Sequence, residues 1–380
     1  MGKRVLITGG AGFIGSHLAD ELLRCGYQVR ALDNLIDQVH GPGGHRPASL
    51  APEVDLVEGD VRDSDAVRRA LRGVDAVFHL AALVGVGQSM YQLERYTSVN
   101  TLGTAVLLEA LIETPVERLV VASSMSLYGE GLYRDLDGNL TTAPERDVRA
   151  LRSGRWELED GLGRPLVPVP TPETKPPAFP SVYALTKHDQ ERMCLSIGRA
   201  YGFPTVALRF FNVFGTRQAL CNPYSGVLAL FAARYLNRKP PLINEDGLQR
   251  RDFVHVKDVA RACRLALEVE EASGGVFNVG SGTSLSIREV AGRMAHALGL
   301  GGGKGKDRDR LRPQLTGTYR TGDVRHCFAD ITRARQVLGY EPQVSFDDGL
   351  VELAEWLSTR LEVDRPDAAG AEPAQRGLAV

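Results

Sequence analysis

"KRVLITGGAGFIGSHLADELLRCG", residues 3–26, opens on a short apolar run that reads as a buried strand and closes as an amphipathic helix stopped by Gly26. Between the two lie Gly9, Gly12 and Gly15. A dinucleotide pyrophosphate needs three things at that junction: a tight turn, close backbone approach and a helix N-terminus with free N–H groups. The next strand-like run, "YQVRALDN", carries Asp33 near its end. A carboxylate there accepts hydrogen bonds from the adenosine ribose hydroxyls and repels a 2′-phosphate, so the pattern favours NAD over NADP.

Downstream the same alternation repeats. "VDLVEGD", "DAVFHLAA" and "VERLVVASS" read as strands, with helical "SDAVRRALRG" and "YTSVNTLGTAVLLEALIE" between them. Strands alternating with helices imply right-handed crossovers, hence an α/β, Rossmann-type doubly wound parallel sheet. Residues 129–180 break this rhythm with a charged stretch, proline-rich at its end, whose length suggests either a lid or a disordered excursion. A helix resumes at Tyr183 and is followed by the strand "PTVALRF". Past Asn212 shorter elements ("DFVHV", "GVFNVG", "SIREVAGRMAHALG") suggest a smaller mixed α/β substrate lobe. The predicted division is 1–211 for the dinucleotide domain, with 129–180 inserted, and 212–361 for the substrate lobe, whose chain crosses back to the first domain. The Gly-rich, charged run 299–310 reads as a linker, and 362–380 as a disordered tail.

Composition excludes several other classes. The 380 residues and 43% apolar content suffice for a large core, and 45 basic against 47 acidic residues leave no global field for nucleic acid or an anionic membrane. The five cysteines are far apart, with no CxxC spacing, so neither a metal site nor a secreted disulfide framework is expected; a reducing cytoplasm fits. No stretch reaches the apolar length of a membrane span.

"PSVYALTKHDQE" (180–191) sets Tyr183 and Lys187 four residues apart, on one helix face. A free phenol, with pKa about 10, is a poor base at neutral pH. A neighbouring ammonium and the positive nicotinamide of NAD favour the phenolate. Ser124, in "ASSMSLYGEG" at the end of a strand, supplies a hydroxyl to the same substrate oxygen.

The set TGGAGFIG, Asp33, NxxGT (Asn100 to Thr104), SSMSLYG, YALTK, "LRFFNVFG", "NPYSGV", "RRDFVHVKDVARA" and "YRTGDVRHCFAD" resembles the extended short-chain dehydrogenase/reductase superfamily, in particular its NAD-dependent nucleotide-sugar epimerases. The resemblance runs from about residue 3 to about 360. Within that group the stretches "VGVGQSMYQ", "YGEGLYRDLDG" and "PVPTPETKPPAFPSVYALTKHDQERM" look like the dTDP-L-rhamnose 4-epimerase type.

Carried over by position, the resemblance implies catalytic Ser124, Tyr183 and Lys187. It implies NAD contacts at Gly9, Gly12, Phe13, Ile14, Gly15, Asp33, Asn34, Asp60, Val61, Leu80, Ala81, Ala82 and Asn100, besides Tyr183 and Lys187. Val84, Ser124, Met125 and Ser126 fall to the sugar, and Asn212, Arg251, Arg320 and Asp323 to the nucleotide diphosphate and ribose. A planar Arg fork suits a diphosphate.

The reaction so implied is C4 epimerisation of a dTDP- or UDP-linked sugar through a transient 4-keto intermediate, by a homodimer, with no metal. A 4,6-dehydratase of this superfamily carries an Asp-Glu pair after its catalytic hydroxyl residue, and a sugar-nucleotide decarboxylase a Glu at the position of Ser126. Met125 and Ser126 stand there instead. A catalytically silent NAD-sensing regulator would have no use for Ser124, Tyr183 and Lys187 together.

Overall fold

The computed structural model describes residues 2–218, 226–300, 310–319 and 323–359. Arg320, most of "NPYSGV", the 301–309 run and the 362–380 tail lie outside the described residues. The chain opens with β1 (Arg4–Thr8), α1 (Phe13–Arg24), β2 (Gln28–Asp33), α2 (Asp37–His40), β3 (Asp55–Glu58), α3 (Ser64–Leu71) and β4 (Ala76–His79). Next come short α4 (Val86–Ser89) and α5 (Leu93–Tyr96), a π-type stretch Thr97–Leu102 that runs on into α6 (Gly103–Glu113), and β5 (Arg118–Ser124). The predicted helix over 96–113 is thus one rod with a π segment at Asn100, a distortion frequent at functional sites.

The 129–180 segment, read above as a lid or a disordered excursion, is folded and not disordered. It folds as β6 (Leu132–Arg134), β7 (Leu140–Thr142), α7 (Val148–Arg152) and β8 (Val167–Val169), an antiparallel sheet ordered β7-β6-β8 around its own small core of Tyr133, Leu158 and Leu166. Long-range ties pin it: Arg325, fully buried, binds Glu157 of the segment together with Glu245 and Asp246, and buried Lys175 donates to the Tyr128 carbonyl. Several ion pairs sharing one buried guanidinium fix a geometry that composition alone does not show.

Beyond it lie α8 (Val182–Tyr201), β9 (Thr205–Phe210), β10 (Asn212–Phe214), α9 (Val227–Leu236), β11 (Leu242–Ile243), β12 (Arg250–Arg251), β13 (Phe253–His255), α10 (Val256–Glu268) and β14 (Val276–Val279). The central sheet has seven parallel strands ordered β14-β9-β5-β4-β1-β2-β3. "GVFNVG", grouped above with the short elements of the smaller lobe, is the β14 edge of this sheet, in register with Ala207–Phe210.

Side chains along β1 alternate. Val5 and Ile7 pack with Leu18 and Leu22 of α1 and with Val259 and Ala262 of α10, whereas Leu6 packs with Val67, Leu107, Leu111 and Cys194 on the opposite face. Each fully buried aliphatic of this kind contributes about 1.5–3 kcal/mol. A third cluster, built on Phe231, Tyr235, Val290, Met294 and Leu353, holds the second lobe together. Strand order reverses between β1 and β4, and at such a switch point a crevice opens beyond the strands' carboxyl ends.

Candidate active site

A cleft of about 590 Å³ lies at that switch point. Its lining includes Gly9, Gly12, Phe13, Ile14, Gly15, Asp33, Asn34, Val61, Leu80, Ala81, Ala82, Val84, Ser124, Tyr183, Lys187 and Asn212. Sequence reasoning missed His40, Arg62, Arg95, Phe210, Phe211 and Gln218, which also line it. Only the Phe pair carried a signal, inside the quoted "LRFFNVFG".

The floor is the glycine turn. Gly9 sits at φ 70°, which favours glycine, and its N–H bonds the Leu32 carbonyl at 2.8 Å. A methyl on Gly15 would stand 2.4 Å from the Gly9 carbonyl oxygen, so only glycine lets α1 pack on the turn. On Gly12 a methyl would meet no more than that oxygen, at 3.3 Å, and would occupy the cleft where the first N–H groups of α1 point. The cradle suits a pyrophosphate.

Asp33 closes the far end, 8% exposed. Its Oδ2 accepts from the Ala11 N–H at 3.0 Å, its Oδ1 from the Leu35 N–H at 3.0 Å, and His40 Nε2 stands 3.4 Å from Oδ1. The carboxylate is held with lone pairs still directed to the cleft, as ribose hydroxyls need. The cleft's Arg62 is already engaged by Asp60 and by Ser98. Asp60 itself does not line the cleft: it accepts from Asn34 and Arg62, and the Arg62 hydrogen bonds hold its carboxyl down at about 2.

Asn100 stands behind the wall rather than on it. Fully buried, it accepts from the Leu83 N–H at 2.7 Å and donates to the Leu83 carbonyl and to Thr186 Oγ1, so its amide fastens the cleft wall to α8.

Ser124, Tyr183 and Lys187 reach the cleft from two elements. Ser181 caps α8 by accepting from the Ala184 N–H, and one turn of helix separates Tyr183 from Lys187. At the end of β5, Ser124 Oγ accepts from the Ser126 N–H at 3.1 Å and from Ser126 Oγ–H at 2.8 Å. With its lone pairs so taken, Ser124 has its proton free to donate, and Tyr183 lines the same cleft. Burial pushes the Tyr183 phenol above its usual value, and the Ser124 hydroxyl pulls the other way. Burial likewise lowers Lys187, to about 8, and its Nζ donates to Gln190 Oε1 at 2.7 Å. Lys187 therefore keeps most of its charge at neutral pH, and the electrostatic help expected from the lysine is in the protein alone opposed by desolvation.

Other candidates for the sugar nucleotide stand off the cleft. Ser126 serves Ser124, and Met125 packs against the core with its sulfur 3.5 Å from Asn212 Nδ2. Arg251 spends its guanidinium on the carbonyls of Arg250, Val324 and Arg325, with Asp323 at 3.5 Å. The structure thus brings Arg251 and Asp323 together, but not onto the cleft wall. Among the described residues no group of three or more His, Cys, Asp or Glu is placed to hold a metal ion, and no helix is long and apolar enough to cross a membrane.

A dinucleotide cradle at the switch point of a seven-stranded sheet, with Tyr183 and Lys187 on the helix beside it, defines an enzyme of the extended short-chain dehydrogenase/reductase type. The chain belongs to the NAD dependent epimerase/dehydratase family, which matches residues 5–149 and 163–280. It is 34% identical over 365 residues to the dTDP-L-rhamnose 4-epimerase of Burkholderia thailandensis, across 95% of this chain and 96% of that one. To the putative UDP-glucose 4-epimerase of Methanocaldococcus jannaschii it is 30% identical, across 93% and 98%. Among solved structures, the UDP-glucose 4-epimerase of Thermus thermophilus in complex with NAD superposes with a TM-score of 0.73 at 32% identity, over 94% of this chain and 100% of that one. The protein is an NAD-dependent enzyme of the epimerase class.

Proposed function

We propose that the protein inverts C4 of a nucleotide-activated sugar through a transient 4-keto intermediate. One observation carries this reading: Ser124, Tyr183 and Lys187 converge on the cleft, while Asp33, at its far end, is the only carboxylate among the described residues that line it. Elimination of a C6 hydroxyl needs an acid and a base at the sugar. The first carboxylate after Ser124, that of Glu130, is instead committed to the Arg325 and His326 N–H groups and the Tyr133 hydroxyl.

Bound NAD would supply the hydride acceptor and donor. Tyr183 takes the proton of the 4-hydroxyl and returns it, Ser124 donates to the same oxygen, and Lys187 holds positive charge beside them. Gly12 and the α1 N-terminus would hold the pyrophosphate and Asp33 the ribose. Asn212 of the cleft, with Arg251 and Asp323 nearby in the second lobe, is the side proposed for the sugar nucleotide, and Arg320 completes the set implied by the resemblance.

The substrate proposed is dTDP-L-rhamnose, interconverted with dTDP-6-deoxy-L-talose; its support is the Burkholderia relative and the likeness of the 129–180 segment to that type. UDP-glucose and UDP-glucuronate are the alternatives. A homodimer is proposed through the helices holding residues 91–114 and 183–201, where Leu93, Leu102 and Leu185 are exposed apolar side chains. The proposed setting is the cytoplasm, in keeping with the unpaired Cys25, Cys194, Cys263 and Cys327. The test is an NMR assay of dTDP- and UDP-sugars that follows C4 configuration. Inversion at C4 is the expected result, and accumulation of a 4-keto-6-deoxy product would establish a dehydratase instead.

A further inference from the structure

We propose that Gln190 is the positioning residue of Lys187: its side-chain oxygen holds the lysine amine, and its side-chain nitrogen registers that oxygen against the loop that walls the dinucleotide cleft. The inference rests on the role proposed above for Lys187.

Hydrogen-bond accounting leaves one arrangement. Gln190 and His79 are fully buried, as is Thr104, so every polar atom needs a partner. Thr104 Oγ1 lies 2.6 Å from the Asn100 carbonyl, which only accepts, so the single threonine proton goes there. Thr104 Oγ1 must then accept from His79 Nε2 at 2.8 Å and from Gln190 Nε2 at 2.9 Å. His79 consequently carries its proton on Nε2, and its Nδ1 accepts from Thr8 Oγ1 at 2.8 Å. Thr8 Oγ1 in turn accepts from the Ala81 N–H at 3.2 Å. The second proton of Gln190 Nε2 goes to the Ala81 carbonyl at 3.3 Å. His79 Nε2 and Gln190 Nε2, 3.1 Å apart, are two donors converging on Thr104.

With the nitrogen so committed, Gln190 Oε1 faces Lys187 Nζ at 2.7 Å. A flipped amide would set its oxygen against the Ala81 carbonyl and its NH₂ against the amine, two repulsive pairings. His79, pushed down to about 3 by burial and then by the Lys187 charge, stays neutral and adds no competing cation. Ala81 is part of the cleft wall and both of its backbone polar groups enter the network, so wall and amine are held in one register.

The test follows Lys187 directly, in protein with isotope-labelled lysine side chains, by NMR titration. Its resonance is identified by its loss in Lys187→Met, and the pH profile of kcat is recorded alongside. Gln190→Met keeps the volume and removes the acceptor. The titration midpoint of Lys187 is expected to fall by about one pH unit or more, a tenfold change in the protonation equilibrium, with the alkaline limb of kcat moving the same way. Gln190→Glu offers a charged acceptor and is expected to raise the midpoint, which keeps the test open if the methionine variant does not fold. Midpoints unchanged in the variants that fold overturn the proposal, whatever happens to Tm. If the wild type turns over no nucleotide sugar, the functional reading fails, while the NMR midpoints still decide the part played by Gln190.

Discussion

Arg209 grips Glu191 with a two-pronged salt bridge, Nε to Oε2 at 2.9 Å and Nη2 to Oε1 at 2.7 Å, wholly inside the protein. Ser123 Oγ–H adds a third bond to Glu191 at 2.6 Å, and Arg209 Nη1 reaches the Tyr128 hydroxyl at 2.8 Å. Strands β5 and β9 are thereby tied to the face of α8 one turn beyond Lys187. Glu191→Gln keeps the shape but strands a buried guanidinium, and the expected loss is about 3–5 kcal/mol of stability. Burial raises the Glu191 carboxyl, and the Arg209 fork more than offsets that, so its folded-state pKa lies below the usual range. The stability this pair contributes is therefore fully present above the ordinary carboxylate pKa and is lost as pH falls through the lowered value. In denaturant melts of wild type and variant between pH 7 and pH 3 the gap should narrow toward the acid end. A constant gap would remove the pair from the account.

Tyr183→Phe deletes one hydroxyl from a side chain whose ring also meets Tyr96 edge-on, with centroids 6.5 Å apart. That packing survives the change, so the fold and the NAD content of the purified protein should be retained. Turnover should drop by ~10²–10⁴, the usual worth of a general acid-base group. A variant within threefold of wild-type kcat would take Tyr183 out of the reaction.

The glycine turn yields a contrast between two single methyl groups. Gly15→Ala forces a carbon to within 2.4 Å of the Gly9 carbonyl oxygen and should fail to fold or melt well below wild type. Gly12→Ala meets only that oxygen, at 3.3 Å, a contact relieved by a shift of a few tenths of an ångström, and should fold and lose much less Tm than Gly15→Ala while losing NAD affinity. Calorimetric titration of NAD into apoprotein, beside the thermal melts, reads both. Equal NAD affinity in Gly12→Ala and wild type would show that the pyrophosphate does not lie over Gly12.

What the sequence disclosed was local chemistry. Gly9, Gly12 and Gly15 announce a turn because glycine's lack of a side chain is a property of the residue itself, and a spacing of four puts Tyr183 and Lys187 on one face of any helix. What it withheld depends on partners far along the chain. Asn100 matched a motif, yet its amide is spent on Leu83 and Thr186. Arg251 reads as a free diphosphate fork, yet its guanidinium meets carbonyls more than seventy residues away. The fold of the 129–180 segment was not legible because its strands are only three residues long, and the Arg325 cluster that holds it joins positions 157, 245, 246 and 325.

Asp33→Asn should weaken the preference for NAD over NADP. The amide keeps most of the carboxylate's shape and can still accept from the Ala11 or Leu35 N–H, but it no longer sets a negative charge against a 2′-phosphate. The cofactor extracted from wild-type protein should be NAD, and the ratio of NADP to NAD dissociation constants should fall by about tenfold or more in the variant, the size of a modest charge-charge interaction. Wild-type protein carrying mainly NADP would contradict the role given to Asp33.

Substrate choice is the most discriminating prediction. If the substrate is a 6-deoxy sugar on dTDP, kcat/KM for dTDP-L-rhamnose should exceed that for UDP-glucose, which is turned over more slowly or not at all, whereas a C6 hydroxyl by itself is rejected by an apolar pocket only ~10²-fold. Met125, which the resemblance assigns to the sugar, is an apolar side chain of the kind that would line a pocket for a C6 methyl. Its packing against the core and Asn212, away from the cleft lining, removes that motive and leaves the likeness to the Burkholderia relative as the support. Met125→Ala should accordingly cost some stability, less than the roughly 2–5 kcal/mol of a fully buried methionine because Met125 is only partly buried, and shift the ratio of the two efficiencies by less than about threefold. A larger shift would put Met125 back beside the sugar. Equal or better efficiency with UDP-glucose or UDP-glucuronate would discard dTDP-L-rhamnose and leave C4 inversion standing, whereas retention at C4 in every sugar of the panel would discard both.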